Sequence, residues 1–332
     1  MLNRRQMLAM SGSMAVAMSA PSILRAAQVD MMLAHASAEL HPNHIFALEF
    51  QKALETLAPG AFNIRIFPNR QLGDDKQLLE STISGAIQLS TCSGVLFPMV
   101  TGKTALNAWQ LPFLVRDYDH MEKMALSDIG AQILADLDDT GIVGLGTVDI
   151  GQRNFLSTTK PVLSLADFTG LKTRIVPVPL HKEIWEKLGT APIGLPYGEV
   201  YGALETGVLD ALEINVSSIL GENLWEVGKQ FTLTGHYPWH AVMAVNKPVF
   251  DGLPAELQQA MRQAGRDAIP PTMLYAKTQD LEGRDALRAK GVEIHELTDL
   301  AEMRMLVEPL VSEWSAKSPL IAEFIRVAQA TT

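Results

Sequence analysis

The 332 residues include a single cysteine, Cys92, so an intramolecular disulfide is excluded and no thiolate metal cluster can form. Other signatures of chemistry are missing as well. The chain has no GxSxG elbow, no HExxH helix and no kinase motif set, and the segment CSG places no base beside the lone thiol. GIVGLG has spaced glycines, but it lacks GxGxxG spacing and opens no helix, so a nucleotide fingerprint is not supported. His181, His236 and His240 are too separated in sequence to establish a metal triad. No catalytic residue, metal or cofactor is therefore expected. Charged residues make up only 19%, yet no long polar tract breaks the aliphatic segments, which argues against disorder. Internal repeats and coiled-coil heptads are absent too.

A chain of 332 residues lies in the range in which one core divides, so two domains are expected. The formal charge is −10, and setting residues 1–27 aside removes Arg4, Arg5 and Arg25, leaving 24 basic against 37 acidic residues, or −13. Such a surface repels nucleic acid and anionic lipid. It does not prevent a few arginines inside a cleft from attracting a small anion, because the local field dominates there.

The N-terminus carries an export signal. Arg4 and Arg5 precede the weakly apolar MLAMSGSMAVAMSA, then Pro21 and the small residues Ala26 and Ala27, in the order of a cleavable leader. The apolar stretch is too short and too rich in Ser, Gly and Ala for a membrane span, so the mature chain is not expected to cross the membrane. NRRQML resembles a twin-arginine leader, the type that exports folded proteins. Residues 1–27 are thus assigned to a signal peptide and the mature chain to the periplasm.

The mature chain alternates strand and helix. VDMMLAH reads as a buried strand and HIFALEFQKALETLA as a helix. In AFNIRIF, Phe62, Ile64 and Ile66 alternate with Asn63 and Arg65, as in a strand with one buried face. Asp74 and Asp75 open the helix KQLLESTISG, where carboxylates favour the helix start, and the strand IQLSTC follows. GIVGLGTV, KTRIVPV, AVMAVN and VEIHEL read as further strands, and Pro270 and Pro271 must interrupt the helix begun by LPAELQQAMRQAGRDA. The order predicts an α/β fold with helices covering its sheets.

The segments GQRNF, LADFTGLKTRIVPVPLHKEIWEKLGTAPIGLPYGEVYGALETGVLDALEIN and LTGH, together with the upstream QLGDDKQLLESTISGAIQLS, resemble the dicarboxylate-binding-like solute-binding proteins of tripartite ATP-independent periplasmic (TRAP) transporters. The resemblance runs from about residue 28 to 330. It implies a periplasmic-binding-protein-like fold, two α/β lobes with a ligand cleft and a long helix spanning them. The division implied is 28–150 with about 239–279 for lobe I, and 151–238 with about 280–332 for lobe II and the terminal helices. The implied function is capture of a small organic acid, a carboxylate, for the integral membrane subunits of the transporter. A sensor subunit built on the same fold, or an exported α/β enzyme, are the alternatives from other classes.

Arg174 is the foremost candidate. It alternates with Thr173 and Ile175 on an apolar strand, and its planar guanidinium suits either a structural ion pair or two-point recognition of a carboxylate. The resemblance assigns it the carboxylate grip. Arg153 in GQRNF either fastens a crossing between domains or, as the resemblance implies, lies near the anionic group. Asn215 can both donate and accept, and it matches a ligand-facing asparagine although the family's Glu-Asn-Pro has become Glu-Ile-Asn here. Tyr197, in LPYGEVY, covers the ligand or packs in the core. The opposite wall is expected from Ser37, from Asp74 or Asp75, and from Thr91 to Ser93, all beyond the carboxyl ends of strands.

Overall fold

A computed structural model describes residues 28–332, so the expected leader, residues 1–27, lies outside the described residues. Among the described residues, eleven strands fall into two sheets. The first holds β1 (Val29–Ala34), β2 (Phe62–Phe67), β3 (Leu89–Ser93), β4 (Ile142–Gln152) and β10 (Pro238–Asn246). The second holds β5 (Asn154–Ser157), β6 (Lys172–Ile175), β7 (Ala191–Gly194), β8 (Ala211–Ile214), β9 (Gln230–Leu233) and β11 (Glu293–Glu296). Their spatial orders are β2-β1-β3-β10-β4 and β11-β9-β5-β8-β6-β7.

Parallel pairing of β1 with β2 and β3, and of β6 with β7 and β8, follows from helices that return the chain to the same end of each sheet. The helix Pro42–Leu57 does so in the first lobe and buries Phe46, Phe50 and Leu54. In the second lobe Pro179–Lys187 buries Ile184 and Trp185. Burial of strands on both faces explains why β4 and β10 read as continuous apolar runs rather than alternating ones.

The chain passes between the lobes where β4 hands over to β5 and where β9 hands over to β10. These two crossings lie side by side: Arg153 N–H donates to Tyr237 O at 3.0 Å and His236 N–H to Arg153 O at 3.3 Å. The long helical segment is broken once. Ala255–Asp267 ends at Ala268, and Ile269–Ala289 begins with Pro270 and Pro271 in its first turn, where a missing N–H costs no hydrogen bond. The second of these helices packs on β4 in one lobe and on the helix Val216–Gly221 and β11 in the other. The final helix, Pro319–Ala330, returns to the first lobe, where Phe324 meets Trp109 edge-on at 4.6 Å. Among the described residues, no helix is long and apolar enough to cross a membrane.

Candidate functional site

Strands β1, β3, β4, β6, β7 and β8 point their carboxyl ends at the gap between the lobes, and the loops that follow them enclose a cavity. The cavity volume is about 110 Å³, and it opens to solvent at the mouth. Seven of the nine residues expected from the sequence line it: Ser37, Asp74, Asp75, Ser93, Arg153, Arg174 and Tyr197. Thr91 and Asn215 do not. Thr91 is buried behind the wall, where its hydroxyl donates to Asn43 Oδ1 at 2.6 Å. Asn215 sits behind Arg153, accepting from its Nη1 at 3.0 Å and donating to Ile150 O at 2.8 Å.

Arg174 leaves β6 toward the cavity alongside Val176, as alternation along the strand requires. It is 2% exposed. Its Nε and Nη2 both donate to Leu195 O, at 3.1 and 2.9 Å, so a backbone carbonyl at the end of β7 fixes the guanidinium plane. Nη1 is not engaged by Leu195, and Nη2 retains a second hydrogen, so the terminal edge keeps two parallel donors. Burial, with Arg153 nearby, lowers its pKa to about 10 against the raising effect of the more distant Glu213, a value that still leaves it protonated at neutral pH. Among the described residues no carboxylate lies within ion-pair distance of it.

Arg153 is held differently. Its Nε donates to Glu213, its Nη1 to Asn215, and its guanidinium lies 3.8 Å from the centroid of the Trp239 ring. Its charge is therefore matched by a carboxylate that is itself fully buried. Nη2 is buried with no partner among the described residues and belongs to a side chain that lines the cavity. A bulge makes this arrangement possible. Pro238 pairs with Gln152 and His240 with Asp149, so Ile150 and Gly151 together oppose Trp239. Gly151 has φ +136°, and a Cβ there would stand 2.4 Å from Asn215 Nδ2. Glycine in GQRNF thus permits both the bend and the seating of the asparagine that aims Arg153.

On the facing wall Asp74 caps the helix Asp75–Ser84, and its Oδ2 also accepts from Gly198 N–H across the gap at 3.4 Å. Asp75 Oδ2 accepts from Ser93 N at 3.0 Å and Ser93 Oγ at 2.5 Å. Burial raises the Asp75 pKa to about 6, against the lowering effect of the Ser93 hydrogen bonds. Two more groups tie the lobes. Arg70 Nη2 meets Glu222 Oε2 at 2.5 Å with its guanidinium 5.1 Å from the Tyr197 ring centroid, and His41 Nε2 lies 3.2 Å from Ser218 Oγ. Tyr197 is half-buried beneath Arg70, and its hydroxyl pKa is raised by burial and by Glu222.

Sequence reasoning did not single out Arg70, His41, Ser218, Trp239 or the pairing of Glu213 with Arg153. Only Glu213 had an available signal, being a carboxylate inside the apolar run of VLDALEI. A buried charge of that kind requires a cationic partner.

Residues 33–318 match the family described as bacterial extracellular solute-binding protein, family 7. The C4-dicarboxylate-binding periplasmic protein DctP of Rhodobacter capsulatus is 31% identical over 100% of this chain and 99% of its own. A TRAP periplasmic solute-binding protein of Bradyrhizobium, solved with α/β-D-galacturonate, is 29% identical and superposes with a TM-score of 0.85 over 91% of this chain and 100% of its own. A TRAP solute-binding protein of Xanthobacter autotrophicus, solved with β-D-galacturonate, is 27% identical, with a TM-score of 0.84 over 91% of this chain and 100% of its own.

Proposed function

The chain belongs to the bacterial extracellular solute-binding proteins of family 7, and from that premise we propose that it captures a small organic carboxylate in the periplasm and delivers it to the membrane subunits of a TRAP transporter. The observation that carries this reading is Arg174: a buried, protonated guanidinium, its plane fixed by Leu195, with its terminal edge left for the cavity and, among the described residues, no carboxylate within ion-pair distance. Burying an unpaired charge is costly, and a ligand carboxylate relieves the cost with two parallel charge-assisted hydrogen bonds. Arg153 Nη2 adds a further donor. Asn215 acts through Arg153 as a positioning residue rather than as a ligand contact.

The proposed cycle is binding and release without bond chemistry. Lobes 28–150 with about 239–279, and 151–238 with about 280–332, close on the acid by bending at the paired crossings near Arg153 and His236, and the last helix reaches back onto the first lobe. Closure brings together Arg70 with Glu222, His41 with Ser218 and Asp74 with Gly198, giving the membrane subunits a compact complex to recognise. We further propose that residues 1–27 are a twin-arginine leader removed on export.

Isothermal titration of the mature protein at fixed ionic strength tests the grip. Truncating one partner of a buried charged pair costs about 2–5 kcal/mol, so Arg174→Ala weakens the bound acid at least about tenfold. Arg174→Lys recovers part of that loss, keeping the charge without the planar fork. A folded Arg174→Ala protein with wild-type affinity refutes the reading.

A further inference from the structure

Building on the carboxylate grip of Arg174, we propose that Asp75 accepts a hydroxyl from the far end of the ligand and thereby selects singly charged hydroxy acids over dicarboxylates. Of the cavity arginines, Arg153 is already neutralised by buried Glu213, which leaves Arg174 as the buried cation whose charge the protein does not match among the described residues. At the mouth Arg70 is paired with Glu222, and Lys76 is exposed, 3.6 Å from Glu80. The basic wall therefore compensates one ligand carboxylate and little more.

The facing wall carries the opposite chemistry. Ser93 occupies one oxygen of Asp75 with two hydrogen bonds, and the other oxygen, Oδ1, is buried with no partner among the described residues. Asp75 lines the same cavity as Arg174. An ionised carboxylate only accepts, so the group that satisfies Oδ1 must carry a hydrogen. A ligand hydroxyl does so. A second ligand carboxylate instead meets like charge from Asp75, with Asp74 beside it. Leaving the buried oxygen unsatisfied is itself unfavourable, so the site discriminates twice against an acid that lacks the hydroxyl.

Titration calorimetry at pH 7.5 and constant ionic strength tests this with D-galacturonate, D-gluconate and D-glycerate against succinate, fumarate and L-malate. The tightest hydroxy monocarboxylate is expected to bind wild-type protein at least about tenfold more tightly than any of the three dicarboxylates, the scale of one charge-assisted hydrogen bond. Asp75→Asn is expected to narrow that ratio to within about threefold, with weaker hydroxy-acid binding and stronger L-malate binding. A dicarboxylate that matches the best hydroxy acid, an unchanged ratio in folded Asp75→Asn, or no binding by any of the hydroxy acids overturns the proposal. Should Asp75→Asn not fold, the wild-type ratio decides alone. Arg174→Ala separates the two ideas: if it leaves binding of every acid unchanged, the carboxylate grip has failed, whereas a lost ratio with an intact Arg174 effect condemns only the role of Asp75.

Discussion

Replacing Glu213 with glutamine removes one buried charge from behind the cleft with little change in side-chain volume. In the native protein Arg153 and Glu213 are 1% and 0% exposed, and the Arg153 Nε–H donates to the Glu213 carboxylate. Removing one partner of a buried pair typically costs about 3–5 kcal/mol, because the other charge is left uncompensated. Glutamine still accepts from Nε, and Trp239 still lies against the guanidinium, so the lower end, about 3 kcal/mol, applies. At roughly 2 °C per kcal/mol for a chain of this size, Tm of the unliganded variant should fall by roughly 6 °C. The second consequence is the diagnostic one. Arg153 now has a whole charge to offer an anion, so the acid that stabilises wild-type protein should raise Tm of Glu213→Gln by a larger increment. Differential scanning calorimetry with and without that acid measures both. A variant within 2 °C of wild type, with an unchanged ligand increment, refutes the claim that Glu213 offsets the charge of Arg153.

Gly151→Ala should destabilise the protein by at least about 2 kcal/mol, combining a φ of +136° with a Cβ 2.4 Å from Asn215 Nδ2; a urea midpoint equal to wild type removes the packing argument. Acid should lower stability below neutral pH. His35, His41, His236 and His240 have folded pKa values of about 3 through burial, so between pH 6.5 and 3 the unfolded chain binds more protons at these positions and stability is lost as pH falls. Asp75 and Asp149, raised by burial to about 6 and about 7, act in the opposite sense as pH falls toward 4, but two carboxylates do not offset four histidines. A higher Tm at pH 4.5 than at pH 7 contradicts this. Changing both Arg4 and Arg5 to lysine should abolish export through the folded-protein route, and undiminished periplasmic protein on fractionation rules out strict twin-arginine dependence.

The elements most legible in the sequence are those whose period or punctuation is local. Phe62, Ile64 and Ile66 announced β2, Asp74 announced the helix start, and the Pro270–Pro271 pair announced the break at Ala268. Three four-residue strands, β5, β7 and β9, were not visible in this way. Each is too short to display a period, and each is a strand because of what lies beside it: β5 pairs with β8 and β9, and β7 lies along β6. GQRNF therefore shows no period in isolation, whereas in the fold Arg153 alone is the link between two strands of different sheets, the crossing that was one of the two readings of this arginine.

The same distinction governs the site. Arg153 and Arg174 are indistinguishable as residue types, and nothing near either one in sequence tells which is free to hold an anion. The answer lies 60 residues from Arg153, at Glu213, which the antiparallel pairing of β5 with β8 brings alongside, with Asn154 opposite Ile214 and Phe155 opposite Glu213. Parallel pairing of β6 with β8 places Arg174 opposite Leu212 instead. One arginine thereby receives a carboxylate and the other a backbone carbonyl, which fixes its plane but does not cancel its charge. Strand register, a long-range property, is what turns two equivalent arginines into one matched pair and one unmatched cation. The proposed preference for a singly charged acid rests on that difference and not on the number of arginines in the cleft.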